Sequence, residues 1–488
     1  MKDLGAVQKE DVDGSERNGH VLHELKSIVG ESNATASKHI RYAYSYDLSF
    51  VKPKLPDYVA MAASVEQVQG VLRLANREKI PVIPYTAGTN IGGLTIPERG
   101  GILLDLKKMN KIIEVDPISH VAVIEPGVSH ARLANALFKH NLRFGWPVGP
   151  PSASVSSCAI CHGIGGLNAR YGLNSQDITS MEVVLPTGEL VRVGSCAIKE
   201  DAWHSLLPLP QVDGLFKGWL GGTGIVTKLG INVHPIPPHL KVFTVSCANA
   251  EDMYSYMLNL SNYEICDDLT AVSWWLAQVP IPYPYKPKPG DAPEWFSFAT
   301  TTSWTEKERD AKEEIWQKVF DEEKKKGTSI SGTVYPEEAL RGRTHLPSQV
   351  VGSTKNYCKQ GGGGISWPGT FTPAKVWAPV YNKWKEILIQ HNLSPSVRMS
   401  MYRGVHYGML RAMIPFNKQS AEETENARHA IVECLKVDLD HGGIPYKPPV
   451  DFAREINKRA DQGYIELLKR VKKMLDPNDI MNPGKMGL

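Results

Sequence analysis

No stretch of this chain approaches the roughly eighteen consecutive apolar residues that a membrane helix requires, so no membrane span is expected. The opening Met1-Lys2-Asp3-Leu4-Gly5-Ala6 runs into polar sequence and lacks the apolar core of a secretion signal. Cysteine is sparse: 7 in 488 residues make no dense disulfide framework, and an odd number leaves one unpaired within a monomer. A reducing, cytoplasmic setting is the simpler expectation. An excess of one charge is also missing, since 55 Lys plus Arg against 52 Asp plus Glu give a formal net of +3. No nucleic-acid partner is therefore expected. A Gly-x-Gly-x-x-Gly fingerprint after an early strand is absent too, which argues against a Rossmann dinucleotide fold.

What the chain does have is apolar bulk and glycine. With 42% hydrophobic residues and 11 Trp it can bury large cores, and its length suits two or three domains. Two Gly-rich segments stand about seventy residues apart: Pro84-Tyr85-Thr86-Ala87-Gly88-Thr89-Asn90-Ile91-Gly92-Gly93, and Ser152 through Gly166, which includes Ser156, Cys158, Cys161, His162 and Gly165. Small residues let a backbone come close to a phosphate and turn its amides toward it. The pair points to a large anionic cofactor held mostly by main chain, the surface that a flavin dinucleotide needs.

The surrounding pattern is α/β. Val59-Ala60-Met61 reads as a strand, and Val65, Val68, Leu72 and Ala75 then recur at helical spacing behind a candidate capping box, Ser64 with Gln67. Val82-Ile83-Pro84 is the next strand. Apolar strands follow at 102–106, 112–116 and 121–128, then a helix from Ser129 to His140 that Ser129 could cap. Residues 181–193 read as a hairpin turning at Pro186-Thr187-Gly188, and Gly221 to Gly224 forms a third glycine cluster leading into a strand at Ile225-Val226. Ala311 to Lys326 predicts a charged, solvent-facing helix, Ala421 to Val437 another helix, and Gly361 to Gly364 a hinge or loop.

These segments, in this order, resemble the flavoproteins of the vanillyl-alcohol-oxidase and p-cresol-methylhydroxylase type. The Leu185-Pro186-Thr187-Gly188 hairpin between them and the C-terminal Leu475-Asp476-Pro477-Asn478-Asp479-Ile480-Met481-Asn482-Pro483-Gly484-Lys485 belong to the same set. The resemblance implies an α+β fold with a two-part FAD-binding domain and an α+β substrate-binding cap. Its boundaries would be an N-terminal extension at 1–47, FAD-binding domain at 48–235, cap at 236–450, and a returning C-terminal segment at 451–488. It also implies FAD contacts from Tyr85 through Gly92, from Pro150, Ser152, Ser156, Cys158, Cys161, His162 and Gly165, from Gly224, Ile225 and Val226, and from Asn482.

In such a protein the substrate lies in the cap and gives a hydride to the flavin. Two branches compete: oxidation of para-substituted phenols at the benzylic carbon, and oxidation of 2-hydroxy acids of the glycolate or D-lactate type. Asp440-His441-Gly442-Gly443-Ile444-Pro445-Tyr446-Lys447 resembles the segment where a Tyr and an Arg hold a phenolate, with Lys447 in the Arg position. Lysine keeps the charge and loses the planar fork. The His-x-His cluster of the hydroxy-acid branch is missing, so no metal site is expected and the phenol branch is favoured. Arg403 and His406 are further catalytic candidates. Cys158-x-x-Cys161 lacks a second Cys pair, which leaves packing beside the flavin as its first reading. A small, aromatic substrate, a separate electron-acceptor protein and a homodimer complete the expectations. A flavin-bearing structural or regulatory subunit is the non-enzymatic alternative.

Overall fold

The computed structural model describes residues 11–145, 149–278, 280–333, 363–403 and 407–488. Its first layer grows from the strand-helix-strand pattern near residue 60. Tyr58–Met61 and Val82–Tyr85 flank Ile102–Asp105 as parallel strands, and Ala34–Thr35 adds antiparallel at the edge. The helix Val65–Glu78 connects the first two and buries Val68, Val71, Leu72 and Ala75 completely. Ser64 accepts from Gln67 N at 3.3 Å, while Gln67 Oε1 takes Ala63 N at 2.8 Å, so the capping box is displaced by one residue.

The segment expected as an N-terminal extension is part of this layer. Val21, Leu25 and Val29, spaced four apart on the helix Asp11–Val29, share a core with Val68 and Ile102. The C-terminus also packs on this layer: Met481 bridges to Val82, and Asn482 N donates to Val82 O at 2.9 Å.

The second layer is an antiparallel sheet ordered Ile112–Asp116, Val121–Ile124, Ile225–Asn232, Ile178–Val184, Leu190–Gly194. Its last two strands form the expected hairpin, with Gly188 at φ 85° in the turn. The helix His130–Phe138, which Ser129 caps through Arg132 N at 3.3 Å, lays Leu133 and Leu137 on the sheet.

The cap is an eight-stranded antiparallel sheet ordered Ser331–Gly332, His239–Cys247, Trp295–Ser303, Asp268–Ser273, Val397–Met401, Tyr407–Ala412, Gly369–Pro373, Ile444–Pro445. Alternation along the strands gives it two faces. Phe243, Val245, Leu269, Met399 and Leu410 pack beneath the helices Ala250–Ser261, Trp377–Gln390 and Ala421–Asp440. The opposite face meets the Gly-rich segments: Val272 and Phe298 pack with Ile91, while Met409 and Phe371 pack with Ile164 and Leu173. The site therefore lies where the cap covers these loops.

The charged helix runs Glu306–Lys325, five residues earlier than the sequence suggested, because Thr305 caps it by accepting from Glu308 N at 3.1 Å. Gly361 and Gly362 lie outside the described residues, and Gly364 corrects the hinge reading. It sits in the strand Gly364–Ser366, where a Cβ would come within 2.6 Å of the Phe416 ring. Among the described residues no helix is long and apolar enough to cross a membrane.

Candidate active site

Three glycine loops converge because polar side chains tie them to one another. Thr86 Oγ1 and Ser157 Oγ lie 2.7 Å apart and join the first segment to the second. Asn482 Nδ2 donates to Leu220 O at 2.7 Å and Leu94 O at 3.4 Å, linking the third cluster to the first. Lys485, almost wholly buried, donates to Gly93 O at 2.9 Å, Ile96 O at 2.6 Å and Glu98 Oε1 at 3.1 Å. Burial pushes its pKa down and the Glu98 carboxylate opposes that. Within the loop, Asn90 Oδ1 takes Gly92 N at 2.8 Å and Asp47 Oδ2 takes Gly93 N at 2.7 Å.

The amides before that point are different. From Thr86 through Ile91 no main-chain N–H donates to another described group, although these residues are half-buried or buried. Orphaned donors in a row are costly without an acceptor. A diphosphate supplies acceptors of the right charge, so the residues present fit FAD.

In the second segment Ser154 caps a short turn of helix, accepting from Ser157 N at 3.1 Å and donating to Pro126 O at 2.6 Å. Pro150 O takes Ala153 N at 3.0 Å, which leaves Ser152 at the exposed tip; Ser156 is buried. Gly165 N donates to Asn168 Oδ1 at 3.3 Å. His162, at φ 51°, holds Nδ1 2.9 Å from Ser175 Oγ, and burial lowers its pKa with help from Lys217 and Lys447. Cys158 and Cys161 are free thiols raised by burial against the opposing charge of Lys447. His130 is pushed down to about 3 by burial and then by Lys447. The Lys447 ammonium, though it belongs to the cap, thus acts on the floor of the second segment. In the third cluster the side chains of Ile225 and Val226 lie in the cores of the two layers, and a Cβ on Gly224 would come 2.9 Å from Val183. Any cofactor contact there is made by main chain.

Tyr446 stands at the centre of an aromatic group. Phe371 stacks on it at 5.1 Å and 27°, Trp367 at 6.4 Å and 28°, and Phe371 meets Tyr402 and Tyr407 edge-on at 5.8 and 5.6 Å. Lys447 Nζ is 5.8 Å from the Tyr446 ring, and its carbonyl lies 3.5 Å from where a Cβ of Gly92 would stand. Sequence reasoning missed Arg411. Its Nη1 donates to Tyr446 Oη at 3.3 Å, and its guanidinium covers Trp367 at 4.9 Å. The available signal was alternation: Tyr407, Met409 and Arg411 share one strand face, so a cation stands in an aromatic row. Arg403 is exposed, with its N–H on Asn168 O at 3.2 Å, and its side chain makes no hydrogen bond or ion pair among the described residues. His406 lies outside the described residues. No group of three or more His, Cys, Asp or Glu able to hold a metal occurs among the described residues.

Comparison with known proteins gives the class. Residues 56–194 match the FAD binding domain model and residues 299–486 the FAD linked oxidase C-terminal domain model. The chain belongs to the vanillyl-alcohol-oxidase and p-cresol-methylhydroxylase type of FAD-binding oxidoreductases. Its cofactor is FAD, and it is a redox enzyme acting on a small organic substrate. It is 26% identical over 508 residues to the 4-cresol dehydrogenase [hydroxylating] flavoprotein subunit of Pseudomonas putida, covering 96% of this chain and 95% of that one. It is 25% identical over 481 residues to a mitochondrial D-lactate dehydrogenase [cytochrome] of Arabidopsis thaliana, covering 96% and 80%. The fold matches p-cresol methylhydroxylase with substrate bound at TM-score 0.83 and 22% identity, over 96% of both chains. It matches 4-ethylphenol oxidase from Gulosibacter chungangensis at TM-score 0.84 and 20% identity, over 97% of both.

Proposed function

We propose that this enzyme oxidises a para-substituted phenol, of the 4-cresol or 4-hydroxybenzyl type, at its benzylic carbon. The observation that carries the reading is the Tyr446 hydroxyl, held by a guanidinium inside an aromatic wall. Stacked rings favour a flat aromatic ligand, and the cations favour a ligand oxygen that becomes negative. Bound FAD supplies the hydride acceptor. The chain's own residues prepare the donor. Arg411 and Lys447 lower the cost of ionising the phenol, with Tyr446 Oη sharing the hydrogen bond; the phenolate lone pair then pushes through the ring as the benzylic C–H bond breaks. The benzylic hydrogen leaves as hydride, taking both electrons of the broken C–H bond, so the phenolate anion becomes a neutral quinone methide. Tyr402, whose buried hydroxyl has no hydrogen-bond partner among the described residues, is kept protonated by burial and by Tyr446.

The 2-hydroxy-acid reading keeps one support, that Arg411 and Lys447 can equally hold a carboxylate. Anaerobic mixing separates the two: bleaching of the flavin by a para-alkylphenol but not by D-lactate or glycolate is expected, and the reverse would overturn the proposal. A separate acceptor protein, a homodimer and a cytoplasmic location belong to the same proposal. Light scattering of the purified holoenzyme tests the stoichiometry.

A further inference from the structure

Beneath the aromatic wall, on the other face of the strand Gly369–Pro373, three oxygens form a closed triangle. Thr370 Oγ1 and Thr372 Oγ1 are 2.7 Å apart, and they lie 2.9 and 3.0 Å from Asp438 Oδ1. All three residues are fully buried. Each contact of that length needs a hydrogen between its oxygens. The two hydroxyls supply two hydrogens; the third has to come from the carboxyl. A further, longer contact from Thr370 Oγ1 to Leu410 O at 3.5 Å only raises the demand. Among the described residues Asp438 Oδ2 is buried without a hydrogen-bond partner, which suits a neutral acid and not a carboxylate.

The same residue grips both elements that place Tyr446. Its side chain holds the strand whose opposite face presents Phe371 to the Tyr446 ring, and where a Cβ on Gly369 would come 2.8 Å from that ring. Its carbonyl accepts Gly443 N at 2.7 Å and His441 N at 2.9 Å, at the start of the loop that carries Tyr446 and Lys447. The strand Ile444–Pro445 of that loop pairs with Thr370 and Phe371.

We propose that Asp438 is a positioning residue whose proton holds the substrate wall in register, so that the site loses affinity when this proton leaves. This rests on Tyr446 contacting the substrate, as proposed above. Removing the proton leaves three oxygen contacts with two hydrogens, and one contact must open under Phe371 and Tyr446. Among the described residues the surroundings offer no cation to hold the charge. Trp384 of the helix Trp377–Gln390 gives its N–H to Cys434 O at 2.8 Å, Cys434 on Asp438's own helix is a protonated thiol, and His441 Nδ1 is turned to Val437 O at 2.7 Å. Arg411 neighbours Gly369 on the other face. Burial raises the Asp438 pKa to about 7, against the threonines and Trp384, so the change falls in the neutral range.

The test compares wild type with Asp438→Asn, which keeps a donor at every pH, in the FAD-loaded protein. Titrating a non-reducing phenol against the flavin spectrum, wild-type Kd should rise about tenfold from well below pH 7 to pH 8 if only the protonated form binds; the variant should follow the phenol's own ionisation alone. Thr372→Val leaves the carboxyl a single contact, for which Thr370 supplies the hydrogen, so the wild-type break in Kd should be lost, and it serves if Asp438→Asn does not fold. A second reading needs no substrate. The wild-type melting temperature should fall relative to the Asn variant between about pH 4 and pH 7 and then run level, since the unfolded chain ionises first. Parallel melting curves, or a Kd break retained in Thr372→Val, would overturn the proposal. A linked melting curve with no phenol affinity at any pH would instead sink the substrate reading and the positioning role with it.

Discussion

Replacing Arg411 by Met is the sharpest test of how the aromatic site works. The guanidinium donates to Tyr446 Oη at 3.3 Å and lies 4.9 Å over Trp367, in a region where Tyr446 is buried. A hydrogen bond involving a charged group is worth about 1.5–3 kcal/mol. If it strengthens as the substrate oxygen becomes anionic, its loss slows flavin reduction by about tenfold to a hundredfold. Arg411→Lys keeps the charge without the flat fork, so it should fall between wild type and Met. Stopped-flow reduction under anaerobic conditions measures the rate constant and the substrate affinity separately, and the absorbance of the purified protein gives FAD content. FAD content should stay at the wild-type level, because among the described residues the Arg411 side chain bonds Tyr446 and covers Trp367 and makes no hydrogen bond to a glycine loop. A Met variant that reduces its flavin at the wild-type rate with wild-type affinity would remove Arg411 from the chemistry.

Gly92→Leu should lower FAD occupancy, whereas Gly92→Ala should be tolerated. A Cβ at this position meets only ordinary contacts at 3.4 and 3.5 Å, but a branched side chain must enter the space before the orphaned amides; flavin-to-protein absorbance ratios check both. His130→Phe should remove part of the protein's acid sensitivity. The folded His130 has its pKa depressed to about 3 from 6.5, so the unfolded chain takes up the proton first, and stability is lost as pH falls below the unfolded value. At pH 5 the cost is about 2 kcal/mol. The melting temperature should therefore drop less from pH 7 to pH 5 in the variant, and equal drops would refute the neutral, buried histidine.

The glycine loops were legible in the sequence because their chemistry belongs to the backbone. Small residues at Gly88, Gly92 and Gly93 state that amides are to be presented, and among the described residues the amides from Thr86 to Ile91 find no acceptor. The strands and caps around them were legible for a similar reason, since Ser64 and Ser129 act on residues three positions away. The N-terminal helix was not. Val21, Leu25 and Val29 find their partners in strands that begin near residue 58, and composition alone says nothing of that docking.

The substrate end shows the same limit more sharply. Reading Lys447 in the arginine position treats the proposed site as one contiguous segment, whereas strand pairing also brings an arginine to Tyr446: Arg411 opposes Gly369, and Gly369 packs on the Tyr446 ring. Lysine is then free to act toward the second segment, where its charge is felt at His130, Cys158, Cys161 and His162. Under the proposed function two cations would take two roles. The geometry separates these roles, because Arg411 is bonded to the Tyr446 hydroxyl while the Lys447 ammonium lies 5.8 Å from the ring centre. Under the proposed function, loss of Arg411 should therefore act chiefly through the substrate's oxygen, and loss of Lys447 should also alter the electrostatics around the second Gly-rich segment.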